Sequence, residues 1–109
     1  MITPVLFTIA YICSENKGYL VWEHDETALS YEIYRNGNLL DTVDIKDLDT
    51  PFTFLRFPRN THLRNKLLKC KMYVDETVKK FNEYEYKVRA VYENDQYSAF
   101  SNIKYIKCE

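Results

Sequence analysis

Two histidines, four closely spaced aspartates, three cysteines and one dense basic run are the groups in this 109-residue chain that could do chemistry. Nucleophilic catalysis needs a serine or cysteine aimed by a local signature and held beside a general base. Neither His24 nor His62 stands near such a signature. His24 continues the side-chain face of Leu20 and Trp22, so it reads as a strand-end residue rather than a base. Asp41, Asp44, Asp47 and Asp49 suggest a cation loop, but their spacing is not that of an EF-hand and the glycine such a loop needs is missing. A solvated acidic loop is expected instead. Gly18 and Gly37 are the only glycines, which leaves no phosphate-cradling loop. The expectation is therefore a non-enzymatic protein with no catalytic residue, no metal site and no cofactor.

Cys13, Cys70 and Cys108 make an odd count without CxxC spacing, which argues against structural zinc and against a dense disulfide framework. One bridge plus a free thiol and three reduced thiols both fit. The reduced form is favoured, because a buried free cysteine packs as a small hydrophobe. There is no Asn-x-Ser/Thr sequon, which argues mildly against a glycosylated extracellular protein.

The local charge anomaly lies between residues 56 and 71. Arg56, Arg59, Arg64, Lys66, Lys69 and Lys71 stand there with His62 and no acid, although the net charge is only −1. Positive charge on a sheet edge deters edge-to-edge pairing, and that alone would account for the run. An irregular segment on a rigid scaffold also commonly carries function. Nucleic acid is the disfavoured partner, since the whole chain is not basic and aromatics are not interleaved for stacking. A protein partner is favoured, with Arg56, Arg59, His62, Arg64, Lys66 and Lys69 as candidate contacts. Tyr34 and Tyr97 join them, because tyrosine offers large contact area at low entropy cost.

The elements that must position these residues are strands. Tyr84, Tyr86, Val88, Ala90 and Tyr92 alternate with Glu85, Lys87 and Arg89, the period of a strand with one buried face. Further strand signals run at Val5–Cys13, Tyr19–His24, Leu29–Arg35, Leu39–Asp44 and Ser101–Lys107, with turn residues between them. Asn36-Gly37 marks a type I′ hairpin turn, because both residues tolerate positive φ. Tyr34 should point away from the face shared by Tyr31 and Ile33, and Tyr97 should lie in the loop before the last strand. The stretch from Asp44 to Lys71 is irregular, with Phe52, Phe54 and Phe57 between Pro51 and Pro58. From Leu67 two readings fit, a strand face of Leu68, Cys70, Met72 and Val74 or a helical face of Leu63, Leu67 and Cys70. A loop or helical turn to about Asn65 and then a strand through Asp75 is preferred, with Met72 and Val74 on one side by local alternation.

The apolar run Ile2–Ile12 lacks a basic leading region and a small-residue cleavage site, so it reads as a first strand rather than a signal peptide. It is also too short to span a bilayer. Length and composition fit one domain over 1–109, large enough to bury about two thirds of the surface its unfolded chain exposes.

These residues, in order, resemble a fibronectin type III domain. Pro4, Phe7, Ile9 and Ile12 match that family's first strand, and Leu20-x-Trp22 its second with the core tryptophan. Tyr31–Gly37 looks like the third strand and its turn. Asp75-x-x-Val78 with Tyr84-x-Tyr86-x-Val88-x-Ala90 looks like the fifth and sixth, and Ser98-x-x-Ser101-Asn102 the approach to the seventh. The resemblance implies an all-β, seven-stranded antiparallel Greek-key sandwich, three strands against four, with an extended irregular segment at about 44–71. It implies that Tyr84 forms a tyrosine corner, bonding backbone a few residues upstream. It turns Tyr73 inward, against the local alternation. It places Cys13 and Cys108 near one pole and Cys70 toward the other. The Arg-Gly-Asp signal of some family members is absent. The implied function is a binding module for another macromolecule, with the basic segment 56–71 as its candidate contact. The alternative is a structural spacer of a larger secreted or virion-surface protein.

Overall fold

The computed structural model describes residues 6–7 (backbone only), 16–48 and 70–108. Within them the chain forms β1 (Leu6–Phe7), β2 (Gly18–Glu23), β3 (Ser30–Arg35), β4 (Asn38–Asp44), β5 (Cys70–Asp75), β6 (Glu83–Tyr92), β7 (Gln96–Tyr97) and β8 (Lys104–Lys107). Single 3₁₀ turns cover Ile45–Asp47 and Glu93–Asp95. One sheet has the order β1-β2-β5; the other runs β4-β3-β6, and β7 and β8 both pair with β6 on the edge away from β3. All pairings are antiparallel. β7 and β8 are thus two parts of one interrupted strand, and seven strands result, three against four. Tyr97 belongs to this last strand and does not precede it.

Local sequence explains each element. β6 reads exposed, buried, exposed, buried along its first residues, and Tyr84, Tyr86, Val88, Ala90 and Tyr92 are all buried, as their spacing requires. Between β3 and β4, Asn36 and Gly37 take φ of 52° and 83°, the left-handed pair that joins two twisted strands without splaying them. The core between the sheets holds Leu20, Trp22, Tyr31, Ile33, Val78, Tyr86, Val88 and Ile106. Trp22 packs on Tyr31 with ring centroids 5.1 Å apart, the offset tilted contact that aromatic quadrupoles favour.

β2 and β5 pair without interruption from Gly18↔Asp75 to Glu23↔Cys70. Tyr73 packs against the inter-sheet core, as the family resemblance implied, whereas Met72 and Val74 join Tyr19, Val21 and Cys70 in a second cluster on the opposite face. No bulge is needed to reconcile the two readings, because this small sheet is buried on both sides. That is also why four consecutive residues of β2, Tyr19 to Trp22, are all buried.

The tyrosine corner is present: the Tyr84 hydroxyl accepts the Lys79 N–H at 2.8 Å. The sheets are also tied by polar contacts. Asp75 of β5, only 1% exposed, accepts from Tyr86 of β6 at 2.6 Å and from Arg35 of β3 at 2.9 Å. Thr77 adds its hydroxyl at 2.6 Å and its N–H at 3.0 Å to the other carboxylate oxygen.

The cysteines correct one expectation. Cys108 is disulfide-bonded, so three reduced thiols do not describe this chain; Cys70 is a buried thiol outside any disulfide. Cys108 sits at the pole of the β5–β6 connection, where its N–H bonds the Asn82 carbonyl at 3.0 Å, and Cys70 opens β5 at the other end. Cys13 lies outside the described residues, as do most of the expected first strand and the segment 49–69.

Candidate functional site

The outer face of the larger sheet gathers exposed apolar and cationic side chains, and the strand period puts them there. Because Tyr31 and Ile33 of β3 point inward, Glu32 and Tyr34 point outward. Because Tyr86, Val88 and Ala90 of β6 point inward, Glu85, Lys87 and Arg89 point outward. A bulge between Ile33 and Tyr34 brings Leu39 opposite Tyr34, on the same outer face, and leaves Leu40 packed against the core.

The interruption between β7 and β8 completes the face. Here Ser98 and Ser101 replace ladder carbonyls with their hydroxyls, which accept the Ala90 N–H at 2.8 Å and the Val88 N–H at 2.9 Å. Each serine N–H returns a bond to β6, Ser98 to the Ala90 carbonyl at 3.0 Å and Ser101 to the Val88 carbonyl at 2.8 Å. Each hydroxyl also donates to a nearby carbonyl, Ala99 at 2.8 Å and Asn102 at 2.9 Å. Both serines are therefore satisfied while buried. With the serines turned to β6, the preceding Tyr97 and Phe100 lie over the outer face.

There the rings and cations interleave. The Arg89 guanidinium carbon stands 4.0 Å from the Tyr97 ring centroid, 4.8 Å from that of Phe100 and 5.8 Å from that of Tyr34. Its Nε donates to Glu32 at 2.6 Å. Burial pulls the Arg89 pKa down, but the Glu32 carboxylate outweighs this and leaves it raised, so the group stays charged. The Lys87 ammonium lies 4.2 Å from the Phe100 centroid and 5.7 Å from that of Tyr34. Tyr34 meets Phe100 edge-on at 5.1 Å and 89°. Such cation–ring contacts hold long side chains in fixed places. Lys87 makes no ion pair among the described residues, while Arg89 makes one. Ile103 lines a shallow depression beside Tyr34, Glu85 and Lys87, and the exposed Tyr105 stands across the ladder from Glu85, whose carboxylate raises the phenol pKa.

Of the large apolar side chains left exposed among the described residues, Leu39, Tyr97, Phe100, Ile103 and Tyr105 fall on this face, against Leu29 and Phe81 elsewhere. Tyr34 and Tyr97, singled out in the sequence separately, are brought together here through Arg89 and Phe100. Leu39, Lys87, Arg89, Phe100 and Ile103 were not singled out. The one signal for them is the spacing Tyr97-Ser98-Ala99-Phe100-Ser101, aromatic-Ser-x-aromatic-Ser, beside the alternating cations of β6. Arg56, Arg59, His62, Arg64, Lys66 and Lys69 lie outside the described residues. Lys71, from the same basic run, stands in β5 opposite Trp22.

The other chemically suggestive residues have structural partners. His24 Nδ1 is 3.3 Å from the Tyr31 hydroxyl, and burial with nearby Lys71 lowers the imidazole pKa. Asp41 accepts from Tyr73 at 3.1 Å, and Asp49 lies outside the described residues. No cluster of three metal-ligating side chains occurs among the described residues. Nor, among them, is any helix long and apolar enough to cross a membrane.

No family model matches the sequence, and no curated protein matches it either. Solved structures do match the fold. The structure of a family 28 exopolygalacturonase from Yersinia enterocolitica superposes over 97% of this chain with a TM-score of 0.64 at 20% identity. The central fibronectin-III array of a RIM-binding protein superposes over 88% with a TM-score of 0.54, also at 20% identity. This chain spans 20% of the first structure's length and 28% of the second's. At these identities the likeness speaks to architecture alone. Taken with the strand order, the tyrosine corner and the core tryptophan, it establishes that the chain has a fibronectin type III-like fold.

Proposed function

We propose that this domain is a non-catalytic binding module that recognises a protein. One observation carries the reading: the exposed apolar side chains are not scattered, but five of them share the outer face of the β4-β3-β6 sheet. Isolated surface hydrophobes are ordinary, whereas a contiguous group rimmed by polar residues marks a contact surface. Aromatic and arginine side chains are also the types that dominate protein interfaces. The basic run with Arg56, Arg59, His62, Arg64, Lys66 and Lys69 is proposed as a second contact.

A photoreactive residue placed at Tyr97 tests the reading, with one at Leu29 as the control for surface reactivity. A protease-sensitive adduct from Tyr97 and not from Leu29 is the expected result; equal labelling from both positions would refute a dedicated face. Charge reversal of Arg59, Arg64 and Lys66 should weaken the same capture, and unchanged capture would remove the basic run from the interface. The competing reading is a spacer module. It is favoured by the short share of the matched structures that this chain spans. A spacer predicts that no substitution on either surface alters any association.

A further inference from the structure

We infer that the outer face of the larger sheet takes an acidic partner segment, one that presents a carboxylate beside an apolar side chain. This rests on the binding reading above and assigns the chemistry of the partner. The face holds two cations in its centre, and they differ in one respect. Arg89 is already paired with Glu32 at 2.6 Å, so its charge is locally balanced. Lys87 has no carboxylate partner among the described residues and lies against the rings of Phe100 and Tyr34.

Ring contacts hold the Lys87 ammonium in place but supply none of the three acceptors it can use. In the free domain, water provides them. A partner that covered the face would strip that water away, and an uncompensated ammonium would then oppose docking. Only a partner carrying its own acceptor, best a carboxylate, avoids the penalty and adds a charge-assisted hydrogen bond. Around Lys87 the surface is apolar on both sides along the sheet: Leu39 and Tyr34 toward β4, Phe100 and Ile103 toward β8. The complement is a carboxylate flanked by aliphatic or aromatic groups. Of the acids on the face, Glu32 is taken by Arg89, and Glu85, which lines the same depression, makes no ion pair with Lys87 among the described residues.

Selection of a displayed random-peptide library on the 109-residue chain tests this directly. Recovered peptides should carry Asp or Glu next to an apolar residue well above the input frequency. Their affinity should fall about tenfold or more on Lys87→Gln, be retained by Lys87→Arg, and weaken with added salt. Thermal unfolding of the Lys87 variants, an exposed-face change, checks that each remains folded. Peptides that bind Phe100→Ala and Tyr97→Ala poorly, yet show no excess of acid and ignore Lys87→Gln, would overturn the acidic assignment while leaving the binding face intact. If no peptide discriminates wild type from Phe100→Ala, the face is no docking surface, and the proposed function falls with the inference. Self-association in sedimentation that Phe100→Ala abolishes would also overturn it, because a second copy would then be the occupant.

Discussion

Replacing Asp75 with asparagine should test how the two sheets are held together. Asp75 receives four hydrogen bonds from three residues, two of them on the opposing sheet. Asparagine keeps one carbonyl acceptor but turns its NH₂ toward either the Thr77 N–H or the Arg35 guanidinium, neither of which can accept from it, and it leaves Arg35 without its counter-charge. A hydrogen bond to a charged group contributes about 1.5–3 kcal/mol, and breaking a fully buried ion pair costs about 3–5 kcal/mol. The Arg35 side chain is 24% exposed, so water relieves part of its loss. A net destabilisation of about 3 kcal/mol is expected. At roughly 2.1 cal/mol/K of unfolding entropy per residue, that lowers Tm by about 13 °C for this chain.

The pH dependence sharpens the test. Burial pushes the Asp75 carboxyl upward, but hydrogen bonds from Thr77, Tyr86 and Arg35 outweigh it and hold the pKa below the usual value. A carboxyl depressed in the folded state stabilises above its unfolded pKa of about 3.9, and that contribution fades as pH falls through the folded pKa. Urea denaturation from pH 7 to below pH 4 should therefore show wild-type stability converging toward that of Asp75→Asn on the acid side. A loss under about 1 kcal/mol at pH 7, or parallel pH profiles for the two proteins, would refute the role assigned to this cluster.

Other measurements bear on the scaffold around the face. Tyr84→Phe leaves the Lys79 N–H without its acceptor and should cost about 1–3 kcal/mol by denaturant unfolding, with the strand order unchanged. Ser101→Ala removes the acceptor of the buried Val88 N–H, so exchange of that amide should accelerate while the far end of β6 keeps its protection. Alkylation in denaturant without reductant should modify Cys70 and spare Cys108; after reduction both should react.

The alternating tyrosines of β6, the Asn36-Gly37 turn and the Ser98-x-x-Ser101 spacing were legible because each is a local signal. A period of two, a pair of positive φ values and a pair of hydroxyls each depend on few neighbours. β5 was less legible: when both faces of a strand are buried, alternation no longer says which side faces the main core. The cysteine state was misjudged because pairing depends on where the chain brings thiols together, which composition does not encode.

The candidate face divides the same way. Composition and order alone pointed to an all-β chain and to Tyr34 as an outward-pointing ring; the family resemblance added the tyrosine corner, and Tyr97 was expected in the loop before the last strand. Only the tertiary structure decided that these two rings belong to one surface. Leu39 comes from β4, Lys87 and Arg89 from β6, and Phe100 and Ile103 from the interruption between β7 and β8, and hydrogen bonding between strands sets which side chains become neighbours. It also decided that Arg89 is balanced by Glu32, 57 residues away in sequence, while Lys87 makes no ion pair among the described residues. Charge along a chain is read from sequence, but its compensation is a matter of distance in space.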